Sequence, residues 1–457
     1  MELFNIKFIP PLPGIYFVGG SVRDNLAGRP CKDIDIAVNG DPGLVSARIA
    51  AAANAHTPVR IGREGKSILR VVSDLYIFDV VKQNGASIEE DLAQRDFTVN
   101  AMAIEAESGR LIDPLGGHSD INSGIIRHVS KNAFKDDPIR MLRAFRIGAE
   151  LGFSISKKTL EAISIHADSI YQSAGERIGE EWIRFLSIPG SFKYLVQMET
   201  CGLLDKIFPE LIALKQCSQN RYHRYDVFIH SLATYRWMEK ILEKETPRLF
   251  KPLSNVSQIT DPVLIKHAAL LHDIGKPASK QTDANGNVHF YGHEKKGAKL
   301  AEKISDRLRF SNQDKAYIDF LIANHLKPLS LFSAHCRTLL TRRISTRFFI
   351  RHEPWIPDLL AISTADMSSK GCKKKAGKYL TFIRELSRNR RDYYLPEKAK
   401  ERLITGHDLI SYFSLTPSPL FKKILEHVDM ERLSGRIGTK DEAIREVSVF
   451  LKRRIDH

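Results

Sequence analysis

The sequence predicts an α+β chain in which a small sheet-and-helix head precedes an all-α neck, body and tail. Three observations lead to that class. Short β-branched runs punctuated by Gly and Asp crowd the chain up to Val81, and apolar spacing becomes helical from Asp136 onward. A length of 457 residues also exceeds what one core organises, so roughly two to four domains follow. The expected division is 1–126 head, 127–200 neck, 201–370 body and 371–457 tail.

Composition narrows the partner. A formal net charge of +15 and a pI near 9.4 point to a polyanion. Cys31, Cys201, Cys217, Cys336 and Cys372 form no CxxC pair, so neither a thiolate zinc site nor a disulfide framework is implied, and a reducing cytoplasm fits. The N-terminal MELFNIKFIPPLPG lacks a leader pattern, and no apolar run reaches membrane-spanning length. A soluble protein, neither secreted nor membrane-bound and with no obligate protein partner, is expected.

The head is organised around Gly14–Asn39. Ile15–Val18 reads as a strand, Gly19-Gly20 as a turn, and Ser21 as the opening of a helix carrying Arg23 and Asp24. Asp33 and Asp35 then fall at i, i+2 on a second strand, which puts both carboxylates on one face. Carboxylates so close repel unless a cation lies between them, and Mg²⁺ suits oxygen ligands that share substrate phosphates. Gly20 in the turn allows backbone amides to approach a triphosphate, and Arg23 can neutralise it. GGSVRD followed by DIDIAV resembles the nucleotidyltransferase signature of bacterial tRNA CCA-adding enzymes and poly(A) polymerases.

Further along, Pro42–Ala55 reads as a helix, and Ser67–Val72 and Leu75–Val81 as strands. Asp79, in the apolar context YIFDVV, is either the third carboxylate of the metal site or the structural partner of Arg70. The segment RDFTVNAMA resembles the family's second motif, with Gln94 in place of a first Arg. The resemblance implies that Arg95, Asp96 and Asn100 hold the sugar of the incoming nucleotide.

In DDPIRMLRAFRIGAELGF, the Asp before Pro138 reads as an N-cap with Pro at the first helical position, and Asp137, Arg140 and Arg143 would share a face. A carboxylate acceptor beside a guanidinium donor suits cytosine and adenine, which offer an amino donor next to a ring-nitrogen acceptor. Uracil and guanine would leave groups mismatched at roughly 1–3 kcal/mol each. Glu176, Arg177 and Glu181 resemble the family's ERIxxE motif and read as braces between helices.

His230 on one predicted helix, His272-Asp273 on another, and His293, His325 and Asp366 downstream of Tyr225 form an ordered series of imidazoles and carboxylates. The series resembles the HD phosphohydrolase superfamily and implies a second divalent-metal centre, either catalytic or a scaffold for RNA. His289 and His335 lie outside the pattern. The tail carries Lys373–Lys375, Arg388, Arg390, Arg391, Arg453 and Arg454 near Tyr379, Tyr393 and Tyr394, candidates for RNA backbone contacts.

The resemblance therefore implies a Mg²⁺-dependent RNA nucleotidyltransferase using ATP and/or CTP, with the 3′ end and acceptor arm of tRNA as partner. Asp33, Asp35 and Asp79 would be catalytic. Complete CCA-adding enzymes resembling this chain carry a longer flexible loop between Asp79 and Arg95, where this one has only Val80–Gln94. Addition of CC alone or A alone is thus expected. A poly(A) polymerase of the same chemistry and an HD phosphohydrolase with an RNA-capturing front half are the competing readings.

Overall fold

The computed structural model describes residues 13–62, 67–215, 217, 226–243 and 259–455. The 1–12 segment, Tyr225 and the side chains of Arg453 and Arg454 lie outside it. The chain divides into two compact units. One holds Met1–Pro209 with Arg307–Arg309, and the other holds Glu210–Asp306 and Phe310–His457.

In the first unit, seven strands form one sheet: β1 (Ile15–Val18), β2 (Asp33–Val38), β3 (Val59–Ile61), β4 (Ile68–Val72), β5 (Ile77–Lys82), β6 (Ala103–Glu105) and β7 (Leu111–Ile112). Their order is β3-β4-β5-β2-β1-β6-β7. Only β2 and β5 pair in parallel, which brings two strands from different supersecondary units side by side at the centre. Strand alternation sorts the faces. Ile34, Ile36, Phe78 and Val80 are buried on one face, where the Pro42–Ala52 helix packs with Val45 and Ile49. The opposite face carries Asp33, Asp35 and Asp79 at one end and, further along, Ala37 in a core with Val18, Ile88, Leu92, Ala101 and Ala103.

Local chemistry explains the boundaries. Asp41 caps the Pro42–Ala52 helix by accepting from Gly43 N–H at 2.8 Å, with Pro42 in the first turn. That helix ends three residues before the expected Ala55, where Asn54 turns to φ 49°. The first helix starts at Gly19 rather than Ser21, because Gly19 accepts φ +70° and lets the chain turn directly out of β1.

After the sheet come the neck helices Arg140–Leu151, Lys157–His166, Gly175–Ser187 and Phe192–Thr200. The Arg140–Leu151 helix buries Met141, Leu142, Ala144, Phe145 and Ile147, and packs on Gly175–Ser187, where Trp182 and Phe185 are buried. Arg146 and Glu181 join the two helices at 2.6 Å, the bracing expected of the ERIxxE stretch.

The described part of the second unit is helical apart from the two-residue strands Gln281–Thr282 and Val288–His289. Its Val227–Leu242 helix packs against Leu264–Leu271 and Ile356–Ser369.

Ile36 is fully buried at the centre of the sheet. Ile36→Ala should remove about 2–5 kcal/mol from the unit that carries it, read as an earlier first transition in urea unfolding with the second unit's transition unmoved.

Candidate active site and histidine cluster

The carboxylates meet by strand register. Asp33 and Asp35 share one face of β2, and Asp79 on β5 is the parallel partner of Asp35. Asp33 is exposed, while Asp35 and Asp79 are half-buried. Burial, with Asp79 and Asp33 adding to it, pushes the Asp35 carboxyl up to about 6 against the opposing pull of Arg95 and the Gly20 amide. Such under-compensated negative charge, built from hard oxygen donors, is a donor set that fits Mg²⁺. Arg70 donates to both oxygens of Asp79, at 2.8 and 2.7 Å. The two readings of Asp79 thus share one residue: it faces Asp35 and it is paired with Arg70.

Gly19 is held by what surrounds it. A Cβ there would stand 2.9 Å from Asp35 Oδ2 and 3.0 Å from Arg95 Nη1. The following amide, Gly20 N–H, donates to the Asp35 carboxylate, so the turn already acts as an anion-binding edge. Arg23 is 7% exposed and donates to Asn100 Oδ1 at 2.8 Å and to both oxygens of Asp24 at 2.8 and 3.0 Å.

The second motif wraps this turn. Asp96 is buried and accepts from Phe97 N–H at 2.8 Å and Asn100 Nδ2 at 3.0 Å, and it pairs with Arg143 at 2.8 Å. Burial opposes its ionisation, but Arg143 and these hydrogen bonds outweigh it and hold the carboxyl below its usual range. Arg95 is oriented by Asp91 at 2.9 Å.

Asp137 corrects an expectation. It lies outside the helix, at φ −150° and ψ 100°, because Pro138 expels the preceding residue from helical backbone. The helix begins at Arg140 without a side-chain cap, and Asp136 ends the preceding Ala133–Asp136 turn of helix. Asp137 is therefore placed by Arg177, which donates to both its oxygens at 3.1 and 2.8 Å, and not by a shared face with Arg140. Arg140 donates to the carbonyls of Gln94 at 2.7 Å and Arg95 at 3.2 Å, tying neck to head. Asp24 and Asp91 join the site without a motif of their own, and Arg177, read as a helix brace, joins it through Asp137. Asp91 was findable: it stands four residues before Arg95, which lies just past the end of the Ile88–Ala93 helix.

In the second unit, all six residues of the His/Asp series converge and are buried. Asp273 joins them: Oδ2 lies 3.2 Å from His272 Nε2 and 3.4 Å from His230 Nε2, and Oδ1 lies 3.1 Å from His293 Nε2 and 3.8 Å from His325 Nε2. Asp366 approaches His230 at 3.0 Å. The other ring nitrogens are committed elsewhere. Nδ1 of His272, His293 and His325 meets the carbonyls of Ala269, Phe290 and Ile322 at 2.7–2.9 Å, and Nδ1 of His230 meets Ser369 Oγ at 3.0 Å. Donation from Nδ1–H leaves Nε2 as a lone pair turned inward, the tautomer of a metal ligand. Nε2 of His293 and of His325 has no hydrogen-bond partner. Buried acceptors without donors, beside two carboxylates, fit a divalent cation.

Burial lowers His325 to about 3, helped by His272 and His293, and burial also lowers His230. His272 moves up: burial lowers it, but Asp273 and Asp366 outweigh burial. Against burial, His272 and Lys276 hold Asp273 far below the usual range, and Lys370 and His230 do the same for Asp366. A cavity of about 270 Å³ opens over the cluster, lined by Lys276, Phe290, Tyr291 and Lys370 among others. His289 lines this cavity while bonded to Asp283 at 3.1 Å, outside the cluster itself, and His335 is exposed.

In the tail, Lys373, Lys374, Lys375 and Arg388 are exposed. Arg391 pairs with Asp392 at 2.6 Å. Tyr379 and Tyr394 are buried at 0% and 1%, Tyr379 against Ser363, so neither offers a stacking face to RNA. Their helical spacing served packing.

Three family models match in sequence: Poly A polymerase head domain over residues 15–127, "Probable RNA and SrmB- binding site of polymerase A" over 152–215, and HD domain over 227–346. The A-adding tRNA nucleotidyltransferase of Deinococcus radiodurans is 30% identical over 444 residues, 95% of each chain. The chain belongs to the tRNA nucleotidyltransferase family. Within that family, the CC-adding tRNA nucleotidyltransferase of Thermus thermophilus is 28% identical over 93% of this chain and 91% of its own. The solved Thermotoga maritima CCA-adding enzyme complexed with tRNA shares the fold at a TM-score of 0.63 and 20% identity, over 96% of this chain and 91% of the other. A CCA-adding enzyme complexed with CTP does so at 0.65, with the same identity and coverage. The expected α+β head with helical HD body is thus the tRNA nucleotidyltransferase fold, and the chain is an enzyme of that class. Among the described residues no helix is long and apolar enough to cross a membrane.

Gly19→Ala tests the turn. Its left-handed backbone costs an L-residue about 1–2 kcal/mol, and the added methyl presses on Asp35 and Arg95. Nucleotide incorporation should fall at least tenfold, while circular dichroism stays that of the parent.

Proposed function

We propose that this chain is a template-independent nucleotidyltransferase that adds C or A, from CTP or ATP, to the 3′ end of tRNA and builds part of the CCA terminus. The observation that carries the chemistry is the register of Asp33, Asp35 and Asp79 on adjacent parallel strands. Together the three carboxylates would hold two Mg²⁺ ions. One ion would lower the pKa of the RNA 3′-hydroxyl, and the other would bind the triphosphate and the leaving pyrophosphate. Gly20 and Arg23 seat phosphates, and Arg95, Asp96 and Asn100 position the sugar. Asp137, Arg140 and Arg143 form the base-reading edge, where a carboxylate held by Arg177 can accept the exocyclic amine of cytosine or adenine. Residues 1–126 act as the catalytic head, 127–200 as the base-recognition neck, 201–370 as the metal-binding body and 371–457 as the RNA-binding tail. The acceptor arm runs along exposed Lys373–Lys375 and Arg388. Five unpaired cysteines suit a cytoplasmic setting.

Partial addition is supported by the connection that follows Asp79. From the end of β5 at Lys82 to the helix at Ile88 runs only Gln83–Ser87. Asn84 N–H donates to Asp91 at 2.9 Å and Ala86 N–H to Glu90 at 2.8 Å. Tied at both points, this turn has little freedom to re-orient the site between bases.

Labelled CTP and ATP, given separately and together to tRNA transcripts lacking CCA or only A, test the reading. Growth that halts after CC or after a single A, and is lost in Asp33→Ala/Asp35→Ala, is expected. All three nucleotides added efficiently would refute partial addition, and unlimited adenylation would indicate a poly(A) polymerase. A second activity, metal-dependent phosphoester hydrolysis, is favoured by the inward Nε2 atoms of His293 and His325 over the 270 Å³ cavity.

Asp35 sets a pH dependence. Its carboxyl is pushed up to about 6, and protons compete with the cation, so the half-saturating Mg²⁺ concentration should climb up to about tenfold per pH unit below that point and stay flat above pH 7. Mg²⁺ titrations of incorporation at pH 5 and pH 7.5 check this.

A further inference from the structure

Arg70 stands directly opposite Asp79 across the antiparallel β4–β5 pair, and Asp79 stands beside Asp35 across the parallel β5–β2 pair. One row of the sheet therefore reads guanidinium, carboxylate, carboxylate on successive strands. The Arg70 fork takes both Asp79 oxygens, at 2.8 and 2.7 Å, which are the atoms a cation would need. Asp33 and Asp35, by contrast, make no ion pair with any described residue. The pair is also asymmetric in exposure, with Arg70 at 41% and Asp79 at 18%. The guanidinium can swing into water without leaving a charge buried, whereas the carboxylate stays facing its neighbours.

We propose that Arg70 is a resident counter-cation for the third carboxylate, and that a divalent ion engages Asp79 only by displacing it. The proposal rests on the reading of Asp33, Asp35 and Asp79 as a cation site. It makes the head load in order: the unpaired Asp33–Asp35 pair takes a cation first and tightly, and a second ion engages Asp79 weakly, in exchange for the guanidinium. Arg70 is then a positioning residue that splits two cation affinities, and it need not touch nucleotide or RNA.

Mn²⁺ titrated into the full-length protein, with free Mn²⁺ followed by electron paramagnetic resonance, tests this. Arg70→Gln keeps bulk and a hydrogen-bond donor but removes the charge. It should tighten the weaker head class by on the order of tenfold, the usual consequence of removing an adjacent like charge. Arg70→Lys should fall between it and the parent. The histidine cluster binds equally in all three, and Asp33→Ala/Asp35→Ala subtracts the head's share. The half-saturating Mg²⁺ for incorporation should drop in parallel, with KM for CTP and ATP unchanged. Superimposable Mn²⁺ isotherms for parent and Arg70→Gln would overturn the proposal. A lower melting temperature of Arg70→Gln in metal-free buffer, with isotherms unchanged in both Arg70 variants, would likewise reduce Arg70 to a strand brace. If Asp33→Ala/Asp35→Ala subtracts nothing, the cation-site reading itself fails.

Discussion

The repulsion among Asp33, Asp35 and Asp79 is the constraint around which the first unit is built. Neighbouring strands lie about 4.8 Å apart, and two carboxylates at that separation repel by about 3 kcal/mol at an effective dielectric near 20. The sheet core imposes the proximity regardless, since Ile34, Ile36, Phe78 and Val80 fix the register from the opposite face. Nearby donors then moderate the charge: Arg70 on Asp79, and the Gly20 amide with Arg95 on Asp35. Compensation is incomplete, and the remaining negative charge is what would draw a cation to the site.

Cationic side chains hold the rest of this unit together in a linked series. Arg23 joins the turn to Asn100, Asn100 bonds Asp96, Asp96 pairs with Arg143, and Arg140 on the same helix grips the Gln94 and Arg95 carbonyls. The Arg140–Leu151 helix and the Gly19-Gly20 turn thereby share one hydrogen-bond network. Several residues read as substrate contacts are, in this state, bonded to one another. A nucleotide bound by these residues would therefore have to exchange partners with the network.

The histidine cluster applies a different principle. Here burial favours neutral His230 and His325, the carboxylates hold His272 up, backbone carbonyls select the tautomer, and the two carboxylates draw their charge balance from Lys276 and Lys370 at the rim. The arrangement is rigid because these residues stand on or at the ends of five helices, not on loops.

The sequence by itself determined the class of chemistry, because that information is local. Ile15–Val18 and the DIDIAV strand declare themselves by apolar alternation, the i, i+2 spacing puts Asp33 and Asp35 together before any tertiary contact, and the ordered His and Asp motifs name their own residue types. Helix beginnings were less legible. Pro138 marks a boundary that its own effect on Asp137 moves, and Tyr379 and Tyr394 carry no sign of whether they face core or solvent. Only the tertiary structure decided which charges compensate which. Asp79 belongs both to Asp35 and to Arg70, and Asp137 belongs to Arg177 forty residues on. Those pairings come from strand order and helix packing, which bring distant residues within the few ångströms over which a salt bridge acts, and no spacing along the chain encodes that distance.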